Sequence, residues 1–302
     1  MKLFIFIMLS CYLSIISGQN LNTEISDYIV QKKYNKAQNL CSKETAQLDE
    51  QTFIKCGHAY EFDKNEINAA KFYDLGLKKY PNSFQIRYEK AILFLNNNKD
   101  YEASITLLPL LQHYKDNILL HNAIGRIEYN QNRTAALMAL IMSEFLDPDS
   151  KYSQQNIISI KELFKRKAFV KTSSSSENKM SLHNTYNSSG TQKKLSKIND
   201  FNHTDFILST QSIVGNFDIK DEIKLLTKQF DFLGISLKET NHLKKGEYWT
   251  FYAPIFIKIQ ENNLSETAAY YLLKDKNSAY QKWLEKHHTK TKSLEKIISS
   301  QL

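Results

Sequence analysis

The chain has 302 residues, with 40 lysines and arginines against 32 acids and a formal net charge of +8. Only 8 glycines and 4 prolines occur, too few for a β-rich fold with many tight turns, so the composition points to helices. The length suits one extended domain or two ordinary ones.

At the N-terminus, Lys2 precedes an almost wholly apolar run from Leu3 to Ile16, followed by Ser17, Gly18 and Gln19. A charge, a short apolar run and small residues predict a secretory signal peptide over 1–18, cut between Gly18 and Gln19. The run is shorter than the roughly 20 apolar residues that span a bilayer, which leaves an uncleaved anchor as the weaker alternative. A lipoprotein reading through Cys11 fits poorly, because the apolar run continues past it. No later stretch is long and apolar enough to cross a membrane. The expectation is an exported protein, periplasmic or secreted, with no integral membrane segment after cleavage. Cys41 and Cys56 then remain, where a disulfide can form. No CxxC or Cys/His metal spacing accompanies them.

Residues 50–83 place Phe53, Cys56, Gly57 and Tyr60 ahead of Ala69, Tyr73, Gly76 and Pro81. Small residues stand where two antiparallel helices would touch, aromatics fill the space around them, and Pro81 closes the second helix. Residues 84–117 repeat the length, with Ala91, Phe94 and Ala103 at the matching positions. Arg87, Lys90 and Lys115 depart from the pattern. Residues 118–150 continue it through Gly125, Ala136, Leu140, Ser143 and Pro148 if the intervening turn is one residue shorter. A weaker hairpin covers 22–46, with Tyr34 to Ala37 opening its second helix, and a helix from about Gln154 to Lys165 would cap the stack. This 34-residue pattern resembles the tetratricopeptide repeat (TPR), of the exported bacterial type. The resemblance implies an all-α, TPR-like superhelix of helical hairpins over 19–165. In that register Cys41 and Cys56 lie on helices that pack side by side. A bridge would clamp the first hairpin to the second, unless the sulfurs sit on opposite faces.

From 165 to 199 the composition changes. A serine run at 173–176 sits among eight lysines and arginines and the single acid Glu177. Residues 166–200 read as a low-complexity basic linker, disordered in expectation. Its few aromatics, Phe164, Phe169 and Tyr186, suit a solvated tether better than base stacking, so no nucleic-acid partner is expected. Weak attachment to an anionic membrane face is a lesser option. Helical periodicity returns over 201–302, through Phe206, Ile213, Ile223, Leu226 and Phe230. These are further packed helices, with more repeats as one option. The aromatic stretch 248–259 is expected to be helical, with Pro254 starting or kinking a helix. A β-strand is the alternative there. Ser265 is a candidate helix cap.

No HExxH, GxSxG, phosphate-cradling glycine loop or zinc-spaced set is present. His287 and His288 are adjacent and so lie on different helix faces. Glu61 and Asp63 read as solvated charge beside a turn. No catalytic residue, metal or cofactor is therefore expected. What the resemblance implies is a concave groove lined by the first helix of each hairpin, for a protein or peptide partner. Its candidate residues are Ile54, His58 and Phe62, then Tyr88, Ile92 and Asn96, then Asn122, Arg126 and Tyr129. Tyrosine and arginine are common interface anchors, and amides suit an extended peptide backbone. The chain is expected to be a non-enzymatic scaffold or adaptor. The alternative is a small-ligand or enzymatic pocket near Trp249 in the C-terminal helices, with the repeats as its targeting arm.

Overall fold

The computed structural model describes residues 21–166, 199–214, 221–240 and 246–302, with side chains to residue 210 in the second segment. The expected signal peptide 1–18 and most of the basic segment lie outside the described residues. Among the described residues the fold is all-α, with no strand. The chain divides into two compact units, the first ending at Leu107 and the second starting at Leu108.

In the first unit, α1 covers 21–30. It is followed by α2 (Tyr34–Lys43), α3 (Glu50–Phe62), α4 (Glu66–Lys79), α5 (Phe84–Asn96) and α6 (Asp100–Leu107). Each first helix pairs with the next, α3 on α4 and α5 on α6, and α4 also packs on α5. Short-range chemistry explains the boundaries. Asp49 and Ser83, 34 residues apart, each accept a backbone N–H from the opening turn of the helix that follows, satisfying donors that a helix leaves orphaned. The turns inside the hairpins recur as well. Lys32, Lys64 and Asn98 all adopt left-handed φ, at 58°, 58° and 56°. Each turn closes with the same pair of backbone bonds, illustrated by Lys64 to Glu61 at 2.8 Å and Asn65 to Tyr60 at 2.8 Å. Side-chain bridges then join equivalent places on neighbouring hairpins, 33 residues apart: Lys55 to Asn22, Ser83 to Glu50 and Lys99 to Glu66.

The small residues sit at the close contacts. A Cβ on Gly57 would stand 2.4 Å from the ring of Tyr73, and one on Gly76 would meet Ile86 at 2.9 Å and Phe53 at 3.1 Å. Ala69 and Tyr73 are fully buried, and Phe53 nearly so. Cys41 on α2 and Cys56 on α3 form a disulfide, with Cα atoms 5.9 Å apart and both residues fully buried. The crosslink ties the first hairpin to the second where their helices touch.

In the second unit, α7 (Ile118–Glu128) and α8 (Arg133–Leu146) form an antiparallel pair, followed by α9 (Ser153–Lys165). Asn117 caps α7, again 34 residues beyond Ser83. A Cβ on Gly125 would lie 2.4 Å from Leu140, so that pair meets as the spacing predicts. The remaining helices are α10 (Asn202–Val214), α11 (Glu222–Thr240), α12 (Glu247–Phe251), α13 (Ala253–Glu261), α14 (Ser265–Leu272), α15 (Ser278–Lys286) and α16 (His288–Ser299). Helix α11 packs along α13 and α14. Gly234 permits that approach, because a Cβ there would stand 2.8 Å from the Phe256 carbonyl oxygen.

Several expectations change at this point. Helix α9 packs on the α7–α8 hairpin: Asn122 bonds Asn156 at 2.8 Å and Tyr129 bonds Glu162 at 2.6 Å, at separations of 34 and 33. It therefore stands where the first helix of another hairpin would. Contacts divide the chain between Leu107 and Leu108, while most of the segment 166–200 expected as a linker lies outside the described residues. Helices α7 and α8 share one unit with the C-terminal helices, through buried polar contacts. The strand alternative for 248–259 is overturned. Tyr248, Trp249, Tyr252 and Phe256 lie buried on α12, α13 and their junction, and Pro254 falls in the first turn of α13, where no N–H is missed. Ser265 does not cap α14; its hydroxyl donates to Asp231 on α11. The α13–α14 turn repeats the first unit's motif, with Asn263 at φ 55° and the bond from Leu264 to Ile259 at 2.9 Å.

Candidate binding surface

The outward face of α3 and α5 carries most of the expected groove residues. His58 on α3 lies 3.3 Å, Nε2 to Oε2, from Glu89 on α5. Gln85 donates to the other oxygen of Glu89 at 2.6 Å. One turn beyond His58, Glu61 accepts the hydroxyl of Tyr73. Phe62 follows and is 55% exposed, its ring 6.1 Å from His58 and 5.9 Å from Tyr34. An aromatic this exposed is not needed for packing. Tyr88 stacks on Phe84 at 5.8 Å. Ile92 is half-buried and Asn96 exposed.

The electrostatics of this face are coupled. Burial pushes the His58 imidazole down, but the hydrogen bond and charge of Glu89, with the charge of Glu61, more than offset it and hold its pKa above the usual value. Burial raises Glu61; the Tyr73 hydroxyl and His58 oppose this, while the like charge of Glu89 adds to it. Burial, with Glu61 beside it, holds the Tyr73 phenol well above its ordinary range, so it stays a donor. The expectation that Glu61 is merely solvated charge is therefore corrected. Sequence reading missed the Glu61, Tyr73, His58 and Glu89 cluster because its members come from three helices.

Two groove candidates are placed elsewhere. Ile54 is only 5% exposed and belongs to the core of the first unit. Asn122 is 3% exposed and bonds Asn156, so it joins helices and presents no open surface. In the second unit, Arg126 is exposed on α7. Tyr129 closes α7, half-buried, with the Arg166 guanidinium 4.6 Å from its ring centroid.

The other ionisable clusters sit inside the second unit. His121 is fully buried, with Nδ1 2.7 Å from the Tyr252 hydroxyl and Nε2 2.7 Å from the Lys115 carbonyl. A carbonyl only accepts, so Nε2 carries the hydrogen and Nδ1 accepts from Tyr252. Burial pushes this imidazole down to about 4, against small opposing effects of the Lys115 carbonyl and Asp116. Tyr248 donates to Glu128 at 2.8 Å. Arg133, 4% exposed, pairs with Asp205 at 2.5 Å and donates to Ser209 at 2.7 Å and to the Arg166 carbonyl. Glu144 accepts from Ser153 at 2.7 Å and Asn156 at 2.8 Å. These groups are spent on joining helices. Trp249, 2% exposed, stacks on Phe201 at 4.2 Å in the core, so the rings expected to line a pocket pack against each other. His287 stacks on Trp283 at 3.9 Å and bonds its carbonyl, while His288 is exposed. Among the described residues, no group of three or more metal-binding side chains converges, and no helix is long and apolar enough to cross a membrane. Compared with models of protein families, curated proteins and solved structures, the chain matches none.

Proposed function

We propose that this chain is an exported, non-enzymatic adaptor of TPR-like helical hairpins, which holds a partner protein on the first-helix face of α3 and α5. The observation that carries the reading is Phe62: a large ring more than half exposed, beside His58 and Tyr34, on a row of helices that recurs every 34 residues. Exposed aromatics flanked by polar groups suit partner recognition. The Cys41–Cys56 bridge supports export to an oxidising compartment, periplasmic or extracellular. The buried ionisable groups of the second unit serve packing, which favours a structural use over a catalytic one.

The test is affinity capture from the native envelope fraction, comparing the mature chain with a Phe62→Ala, Tyr88→Ala variant and with a control, Lys282→Ala, at an exposed position of α15 in the second unit. The reading expects a specific protein retained by the parent and the control and lost from the double variant. Equal retention by all three would move the binding surface elsewhere.

A further inference from the structure

The α3–α5 face carries two half-buried carboxylates, and the basic residues of these helices are engaged with other partners: Lys55 with Asn22 and Ser26, Arg87 with the Pro81 carbonyl, and Lys90 with Asp74. Among the described residues, Glu89 has His58 as its only ion-pair partner, with its side chain 20% exposed, and Glu61 has none. Both retain acceptor capacity, since an ionised carboxylate can take about four hydrogen bonds. Glu61 receives Tyr73, and Glu89 receives Gln85 and His58. Among the described residues, His58 is the one cationic partner that these two mutually repelling carboxylates share, so two acids meet a single cation at most. The exposed Phe62 ring stands one residue from Glu61 and offers a face to a cation or an aliphatic chain.

We propose that this face takes an extended peptide segment of the partner whose arginine or lysine side chain enters between Glu61 and Glu89, with an apolar neighbour against Phe62. This rests on the binding face proposed above. Charge complementarity selects the occupant, because a guanidinium supplies the several donors in fixed geometry that the two carboxylates lack. The chain as a whole carries +8, so unspecific attraction works against basic peptides. A basic preference therefore reports on this face and not on net charge.

The experiment pans a library of random displayed heptapeptides on the immobilised mature chain at pH 7.5. The expected result is enrichment of arginine or lysine beside an apolar residue. A re-synthesised winner should lose about tenfold or more in affinity for the Glu61→Gln, Glu89→Gln variant. It should lose as much for the parent chain when its own basic residue becomes methionine, an arm that needs no folded variant. Neutral or acidic winners that are lost on Phe62→Ala would overturn this inference while leaving the face intact. No enrichment, or winners indifferent to every substitution on this face, would overturn both.

Discussion

His121 is the clearest pH-sensitive residue. Its folded pKa is about 4, below the unfolded value of about 6.5. Below that value the unfolded chain binds the proton that the folded chain refuses, so stability falls as pH drops from about 6.5 toward 4, by about 3 kcal/mol. Urea unfolding at stepped pH should show this slope, and His121→Phe should flatten it. Arg133 makes the opposite kind of demand: it is charged and buried, held by Asp205, Ser209 and the Arg166 carbonyl. Arg133→Ala leaves Asp205 unpaired and should cost about 3–5 kcal/mol, measured by the same unfolding. Gly234 faces a carbonyl oxygen that cannot move without shifting α13. Gly234→Ala should cost about 1–3 kcal/mol in a thermal melt.

At the scale of the element, the hairpin is the recurring unit. Its small residues, its capped starts and its left-handed turn all serve one antiparallel contact. The disulfide locks two such hairpins across a loop of 15 residues, so reduction should lower the stability of the first unit by about 3 kcal/mol. Urea titration with and without reductant, beside a Cys41→Ser, Cys56→Ser variant, measures it. Much of this was legible in the sequence. Gly57, Gly76 and Gly125 are small for reasons that a helix-period pattern reveals, and Pro254 is placed by its missing N–H. The cross-helix polar pairs were not legible. His121 with Tyr252, or Arg133 with Asp205, join residues 131 and 72 positions apart, and no local spacing encodes such a meeting. For the same reason Asn122 read as surface when its amide is buried against Asn156, and Glu61 read as solvent-facing when it serves Tyr73.

At the scale of the whole molecule, contacts group the helices in a way that composition does not display. The basic segment 166–200 looks like a domain boundary, yet Asn132 donates to the Asn199 carbonyl at 3.0 Å and Tyr248 donates to Glu128 across it. The division falls at Leu107 and Leu108. A chain ended at residue 165 should therefore strip α7 and α8 of their partners and bind a hydrophobic dye that the intact chain does not. A cooperative melt of that fragment without dye binding would restore the boundary at the basic segment. The account's central claim is that a partner seats on the α3–α5 face, and site-specific photocrosslinking tests it most directly. A benzophenone side chain is placed at Asn96 on α5, at the exposed Gln51 in the first turn of α3, or at the exposed control Lys282 on α15, and the chain is irradiated in its native envelope. The account predicts one discrete adduct from Asn96 and Gln51 and none from Lys282. An adduct from Lys282 alone, or equal adducts from all three positions, would contradict it.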